Sequence, residues 1–168
     1  MNSEQLRALQ APVKEKYKQD PGAAKITLRA QGKLGDEKIS CKVQTGKALV
    51  EAGLHPGTGG AGDLACSGDM LLEALAACFG VTLKAVATAI SVPIEEGTVT
   101  AEGDLDFRGT LGVSKEVPVG FSAIRLLVKF KTDAEHQQIE KLLSLTERYC
   151  VVAQTLWQPP TVSVDYKS

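Results

Sequence analysis

Four cysteines, at 41, 66, 78 and 150, and two histidines, at 55 and 136, carry most of the nucleophilic and metal-binding capacity of this chain. A thiol becomes a nucleophile when it ionises, and two neighbouring thiols can pass through a disulfide. Cys78 lies in the run Leu75-Ala76-Ala77-Cys78-Phe79, and its helical neighbours Ala74, Thr82 and Ala85 are small. Small neighbours on one helix face leave room for another element or a substrate to reach the sulfur. Cys150 ends an apolar stripe made by Ile139, Leu142, Leu143, Thr146 and Tyr149. If the two helices pack, both sulfurs meet at one point. Two ordinary core cysteines would satisfy the same pattern, since free cysteine is among the most buried residue types.

Other chemistries have less to draw on. Gly57-Thr58-Gly59-Gly60-Ala61-Gly62 matches G-x-G-x-x-G. A dinucleotide site needs a strand just before that run, a helix just after, and an acid about 20 residues on. Here Leu54-His55-Pro56 precedes it, the helix starts late, and position 82 is a threonine; a flexible loop accounts for the glycines. His55 with three cysteines could bind zinc in principle, but the chain has no C-x-x-C pair. His136 falls near the start of a polar helix face, and no G-x-S-x-G elbow occurs.

The elements that must position the thiols follow from periodicity. Ser3 to Gln19 reads as a helix that Pro12 would kink or split, and Asp20-Pro21-Gly22 ends it. Lys25–Ala30 and Glu37–Gln44 alternate as strands, with a hairpin turn at Gly32–Asp36 and a loop from Gly53 to Ser67. Asp69 to Ser91 is apolar on nearly every face, which predicts a helix buried all round and stopped at Val92-Pro93. Strands follow at Glu95–Arg108 and Val119–Thr132, the second with Ile124, Leu126, Val128 and Phe130 on one face. Thr132 or Asp133 caps a helix from Ala134 to Tyr149, further helical turns reach Trp157, and Thr161–Tyr166 reads as a closing strand. The order is α+β, not the strict alternation of a doubly wound sheet. It divides the chain into a helical arm, 1–22, and one domain, 23–168.

Composition narrows the class. Of 168 residues, 43% are hydrophobic and 23% charged, enough for a core without metal or disulfide staples. A formal net charge of −1 gives no pull on nucleic acid. Met70–Ile90 is apolar enough to raise a membrane span, but Glu73 and Lys84 sit inside it, and lipid-facing charges are costly. The start MNSEQLRALQ lacks the basic-then-apolar pattern of a secretory signal. The expectation is therefore a cytoplasmic protein that contacts neither membrane nor nucleic acid, with cysteines that are bystanders or functional thiols and not staples.

The stretch Cys66-Ser67-Gly68-Asp69-Met70-Leu71-Leu72-Glu73-Ala74-Leu75-Ala76-Ala77-Cys78 resembles the first cysteine motif of the OsmC/Ohr family. Arg148-Tyr149-Cys150-Val151-Val152-Ala153-Gln154-Thr155-Leu156 resembles the second. The resemblance covers most of residues 24–166. It implies an OsmC-like fold, antiparallel sheets around two central helices, in an intertwined homodimer with sites at the interface. It also implies thiol-dependent reduction of organic hydroperoxides, with Cys78 as the attacking thiolate and Cys150 as the thiol that resolves it. An external dithiol would reset the pair, and neither cofactor nor metal is implied.

The mechanism needs a lowered thiol pKa, because a free thiol ionises near about 8.5 and burial alone raises it. The family's peroxidases carry an arginine in the early strand-turn region, where Arg29 and Lys33 are the candidates here. They also place Pro-Glu before the central helix, where this chain has Ser67-Gly68-Asp69, and proline after the second cysteine, where it has Val151. Asp69 can stand in for the acid or cap the helix, and Glu73 can orient the site or pair with Lys84. The competing expectations are a peroxidase, a non-catalytic dimer binding a small apolar ligand at its interface, and a structural dimer with inert thiols.

Overall fold

The computed structural model describes residues 1–25, 27, 32–34, 40–45 and 48–167. The chain forms two compact units. One comprises Met1–Ala8, Ala74–Thr100 and Val128–Ser168; the other comprises Leu9–Glu73 and Ala101–Leu127.

The first unit is built on α2 (Ser67–Ala89), from Ala74 onward, and on α4 (His136–Tyr149) with α5 (Val151–Trp157). Leu75, Phe79, Leu83 and Ala87 are the buried residues of α2. They recur every fourth position, so they form one stripe along the helix. Leu83, Ala87, Val92 and Leu142 make the centre of the core, with Val86, Ile90, Ile94, Val99, Val128, Phe130 and Leu143 packed around it. Burial of each large apolar side chain stabilises by about 1.5–3 kcal/mol. The predicted all-round burial of α2 does not hold in the single chain: Val81 is 72% exposed, and Glu73 and Lys84 are both exposed. Lys84 Nζ instead donates to the Ile94 carbonyl at 3.1 Å. By length and composition α2 could cross a membrane.

The end of α2 follows a Schellman pattern. Val92 N–H donates to Ala87 O at 2.9 Å and Ser91 N–H to Thr88 O at 3.3 Å, with Ser91 at φ 58°. A left-handed residue closes this motif, and a side chain there costs about 1–2 kcal/mol. Ser91→Gly is accordingly expected to raise the unfolding free energy by about 0.5–1 kcal/mol, less than the full strain because glycine also gains entropy when unfolded. Urea denaturation reads this directly, and an unchanged or lower midpoint would contradict it.

The helix α4 starts at His136 on a reciprocal cap between Glu135 and Gln138, where Thr132 or Asp133 was expected. The Thr132 hydroxyl instead donates to Pro93 O and accepts from Ala134 N–H, which ends the preceding strand. Beyond Trp157 the expected closing strand is not formed. Val162, Val164 and Tyr166 are 84%, 92% and 87% exposed. Their alternation suits a strand, but a strand needs an edge to pair with, and none is supplied to them among the described residues.

In the second unit, β1 (Gly32–Leu34), β2 (Ser40–Thr45) and β3 (Ala48–Gly53) pair antiparallel. The short β4 (Ala65–Cys66) joins β3 in parallel, Ala52 opposite Ala65 and Gly53 opposite Cys66, so the sheet is not purely antiparallel as expected. Gly32–Leu34, assigned to a turn from sequence, is strand, and β3 escaped the sequence reading. The strand expected at Lys25–Ala30 falls largely outside the described residues. The strands β5 (Gly97–Asp104) and β6 (Ala123–Phe130) make a separate two-stranded sheet. In β6 the half-buried positions are 124, 126, 128 and 130, as the alternation predicts. A short helix α3 (Phe107–Thr110), capped by Asp106, replaces the end of the expected first long strand.

The helix α1 (Ser3–Gln19) runs through Pro12 without a break and buries no residue. The glycine run at 57–62 opens with a tight turn in which the amides of residues 57–60 are spent internally. Gly57 N–H donates to His55 Nδ1 at 2.9 Å, and Thr58 and Gly60 N–H both donate to His55 O, at 2.8 and 3.1 Å. A side chain at Gly60 would meet Leu54 O at 1.8 Å, so close backbone approach is what requires glycine there.

Candidate thiol site

Cys78 and Cys150 both belong to the first unit. Cys78 stands midway along α2, half-buried beside the stripe of Leu75 and Phe79. One turn later Thr82 donates its hydroxyl to the Cys78 carbonyl at 2.8 Å.

Cys150 is fully buried, at 0% exposure, where α4 ends and α5 begins. Its backbone is extended, φ −74° and ψ 107°, which interrupts the helical ladder. Its N–H still donates to Thr146 O at 2.9 Å, and its carbonyl accepts from Gln154 N–H at 2.9 Å. The Gln154 side chain reaches back across the break and donates to Glu147 O at 2.9 Å, stapling the two helices together. Thr146, buried as well, ties its hydroxyl to Leu142 O at 2.7 Å.

The break at Cys150 has an electrostatic consequence. The first N–H groups of a helix have no partner within it. At the start of α5 those of Val151, Val152 and Ala153 are therefore free for the two sulfurs. Burial pushes the Cys78 thiol up, but Val152 N–H, the Cys150 thiol, Val151 N–H and the Thr82 hydroxyl outweigh it, so Cys78 lies below the ordinary thiol value. Burial also pushes Cys150 up; Ala153 and Val152 N–H oppose this, while donation to the Cys78 sulfur and its negative charge add to it, and Cys150 lies above the ordinary value. Cys78 is thus the more readily ionised of the two, and the Cys150 thiol donates to its sulfur. Such a pair offers a nucleophile and, once the nucleophile is oxidised, a second sulfur within reach of it.

A pH profile follows from the two directions. A lowered pKa means that the reactive thiolate persists to lower pH. Alkylation of Cys78 by iodoacetamide should therefore rise with a midpoint below that of an ordinary free thiol. Cys150 should react only above that value, and slowly, because it is buried. Peptide mass spectrometry after timed quenching resolves the two; coincident midpoints would contradict the arrangement.

The other sequence candidates lie elsewhere. Asp69 and Glu73 are exposed on the part of α2 that belongs to the second unit. The helix starts at Ser67, so Asp69 sits inside the first turn, where its charge favours the helix N-terminus. Lys33 is in β1, its backbone opposite Lys42, and Arg29 lies outside the described residues. Cys66 is a free, partly exposed thiol at the end of β4. His55 stacks on Phe107 at 4.8 Å. Among the described residues no three His, Cys, Asp or Glu side chains converge. Sequence reasoning missed the amides of Val151 and Val152, the Gln154 staple and the Thr82 donor. The apolar stripe continues through 146, 150 and 153 without a phase change, so no side-chain pattern marks the break.

Comparison with known proteins agrees with this layout. The profile of the family described as OsmC-like protein matches residues 60–165, which include both cysteines. No curated protein matches by sequence. Among solved structures, the OsmC-like protein of Mycoplasma pneumoniae is similar at TM-score 0.66 and 16% identity, over 80% of this chain and 89% of that one. An organic hydroperoxide resistance protein of Elizabethkingia anophelis is similar at TM-score 0.58 and 19% identity, over 78% and 88%. The organic hydroperoxide resistance protein OhrB of Bacillus subtilis follows at TM-score 0.55 and 19% identity, over 77% and 90%.

Proposed function

The chain belongs to the OsmC-like protein family, and from that premise we propose that it reduces organic hydroperoxides by a Cys78/Cys150 thiol cycle. The single observation that carries this is the unequal pair: a lowered Cys78 and a raised Cys150 sharing the free amides of one helix start. The organic hydroperoxide resistance proteins among its fold neighbours support this choice of substrate class.

In the first step the Cys78 thiolate attacks the terminal oxygen of R–O–O–H. The S–O bond forms, the O–O bond breaks, and the alkoxide takes a proton from water to leave as an alcohol. Cys78 becomes a sulfenic acid. Cys150, deprotonated, then attacks that sulfur and expels hydroxide, which closes a disulfide. An external dithiol reduces it by two exchange steps and departs as its own disulfide. No bound cofactor or metal enters the cycle. In this reading the α5 amides supply the stabilisation that the resemblance assigns to a cation at Arg29 or Lys33, and Asp69 and Glu73 take no direct part.

The active form in this proposal is an intertwined cytoplasmic homodimer, independent of membranes and nucleic acid. Exposed apolar side chains support a second copy: Val81 at 72%, Val151 at 69%, and the unpaired tail at Val162 and Val164. The test is consumption of cumene hydroperoxide with dihydrolipoamide as reductant, together with intact mass after peroxide alone. Turnover and the loss of two hydrogens through a Cys78–Cys150 bridge are expected. Absence of both would sink the proposal and favour a non-catalytic fold that binds a small apolar ligand.

A further inference from the structure

His55 and the glycine run behind it take no part in the thiol cycle, yet they form a closely fitted turn in the second unit, packed on α3. The His55 imidazole is half-buried and stacked on Phe107, ring centroids 4.8 Å apart and planes at 28°. Its Nδ1 accepts the Gly57 N–H at 2.9 Å. Its carbonyl accepts the N–H groups of Thr58 and Gly60 and, at 2.9 Å, the Thr58 hydroxyl. One residue thus receives the hydrogen bonds that close the turn. Gly57 is pressed into the corner so made: a Cβ there would lie 2.6 Å from the Phe107 ring and 3.1 Å from His55 Nδ1.

An imidazole nitrogen that accepts a hydrogen bond carries no proton, so the neutral ring here is the Nε2–H tautomer. A second proton can go only to Nδ1. That nitrogen would then be a donor facing the Gly57 N–H, itself a donor. We propose that His55 is a proton-operated clasp on the turn between β3 and β4: the neutral ring holds the turn closed, and protonation at Nδ1 releases the Gly57 amide and opens it. The charged groups on α3 are Asp106 and Arg108, which pair with each other while Asp106 also caps that helix. On the loop of His55 itself the other titratable group is Asp63. The short β4 runs directly into α2, so an open clasp frees the chain that enters that helix. The clasp stands or falls independently of the thiol cycle.

The chain has one other histidine, His136, exposed and beside Glu140, so ring 15N spectra of the full-length protein resolve both. At about pH 8 His55 should show the Nε2–H tautomer. Lowering the pH to about 5 spans the interval in which histidine changes charge. As His55 protonates, protection of the Gly57 amide against hydrogen exchange, corrected for its intrinsic pH dependence, should fall about twofold to tenfold, the ordinary worth of one hydrogen bond. His55→Asn keeps a capping acceptor that does not titrate, so it should hold that protection constant over the same range. His136→Gln should leave the transition unchanged. An Nδ1–H tautomer at about pH 8, protection that stays constant while His55 protonates, an equal fall in His55→Asn, or loss of the transition in His136→Gln overturns the proposal.

Discussion

Replacing Cys78 with serine is expected to reduce hydroperoxide consumption to the uncatalysed background. Serine fills nearly the same space, so the stripe of Leu75 and Phe79 beside it keeps its packing. The chemistry, however, depends on ionisation. The amides of Val151 and Val152 and the Cys150 thiol lower a group whose ordinary value, about 8.5, is already within reach of neutral pH. A hydroxyl lies too far above neutral pH for the same donors to charge it. Cys150→Ser should behave differently. The first attack survives, Cys78 sulfenic acid accumulates, and dimedone traps it. No disulfide forms within the chain, so turnover with a dithiol slows to the rate at which the reductant reaches Cys78 directly. Retained turnover in Cys78→Ser would show that the reacting group is elsewhere, with Cys66 the next thiol to examine.

Leu142→Ala should produce the largest loss of stability of any single change in the first unit. Leu142 is at 0% exposure and lies at the centre of the core with Leu83, Ala87 and Val92. Truncating such a leucine costs about 2–5 kcal/mol, from lost transfer energy and the cavity left behind. That is a large share of a total of about 5–15 kcal/mol. In a chain of this size each kcal/mol lowers Tm by about 2–4 °C. The effect should reach the site, because Leu142 and Thr146 belong to the helix that ends at Cys150, and the Leu142 carbonyl receives the Thr146 hydroxyl. Calorimetry gives the stability and Cys78 alkylation the local effect. A loss below about 1 kcal/mol would mean that the site collapses around the smaller side chain.

Side-chain periodicity carried much of the architecture. The alternation at Ile124, Leu126, Val128 and Phe130 gave the half-buried face of β6, and the stripe through Leu142 and Thr146 gave the inner side of α4, although Tyr149, placed on the same stripe, is 58% exposed. These patterns are legible because helices and strands repeat at fixed periods, and burial selects residue type at each repeat. Likewise, the cysteine motifs around positions 78 and 150 gave the family. Periodicity was silent on what covers a face. The helix α2 is apolar all round, yet in the single chain only the line of Leu75, Phe79, Leu83 and Ala87 is buried. The tail at Val162, Val164 and Tyr166 has a strand's pattern and no strand partner among the described residues.

The sequence by itself determined which residues could react: two thiols set in apolar helices, in motifs that identify the family. Tertiary structure alone showed what makes the two thiols unequal. That inequality rests on an extended backbone at Cys150 that frees the amides of Val151 and Val152 for the Cys78 sulfur. Every residue but proline carries an N–H, so no side-chain pattern can record where backbone donors converge. The ease with which Cys78 ionises is set by groups brought to it through folding, and only the folded chain shows them.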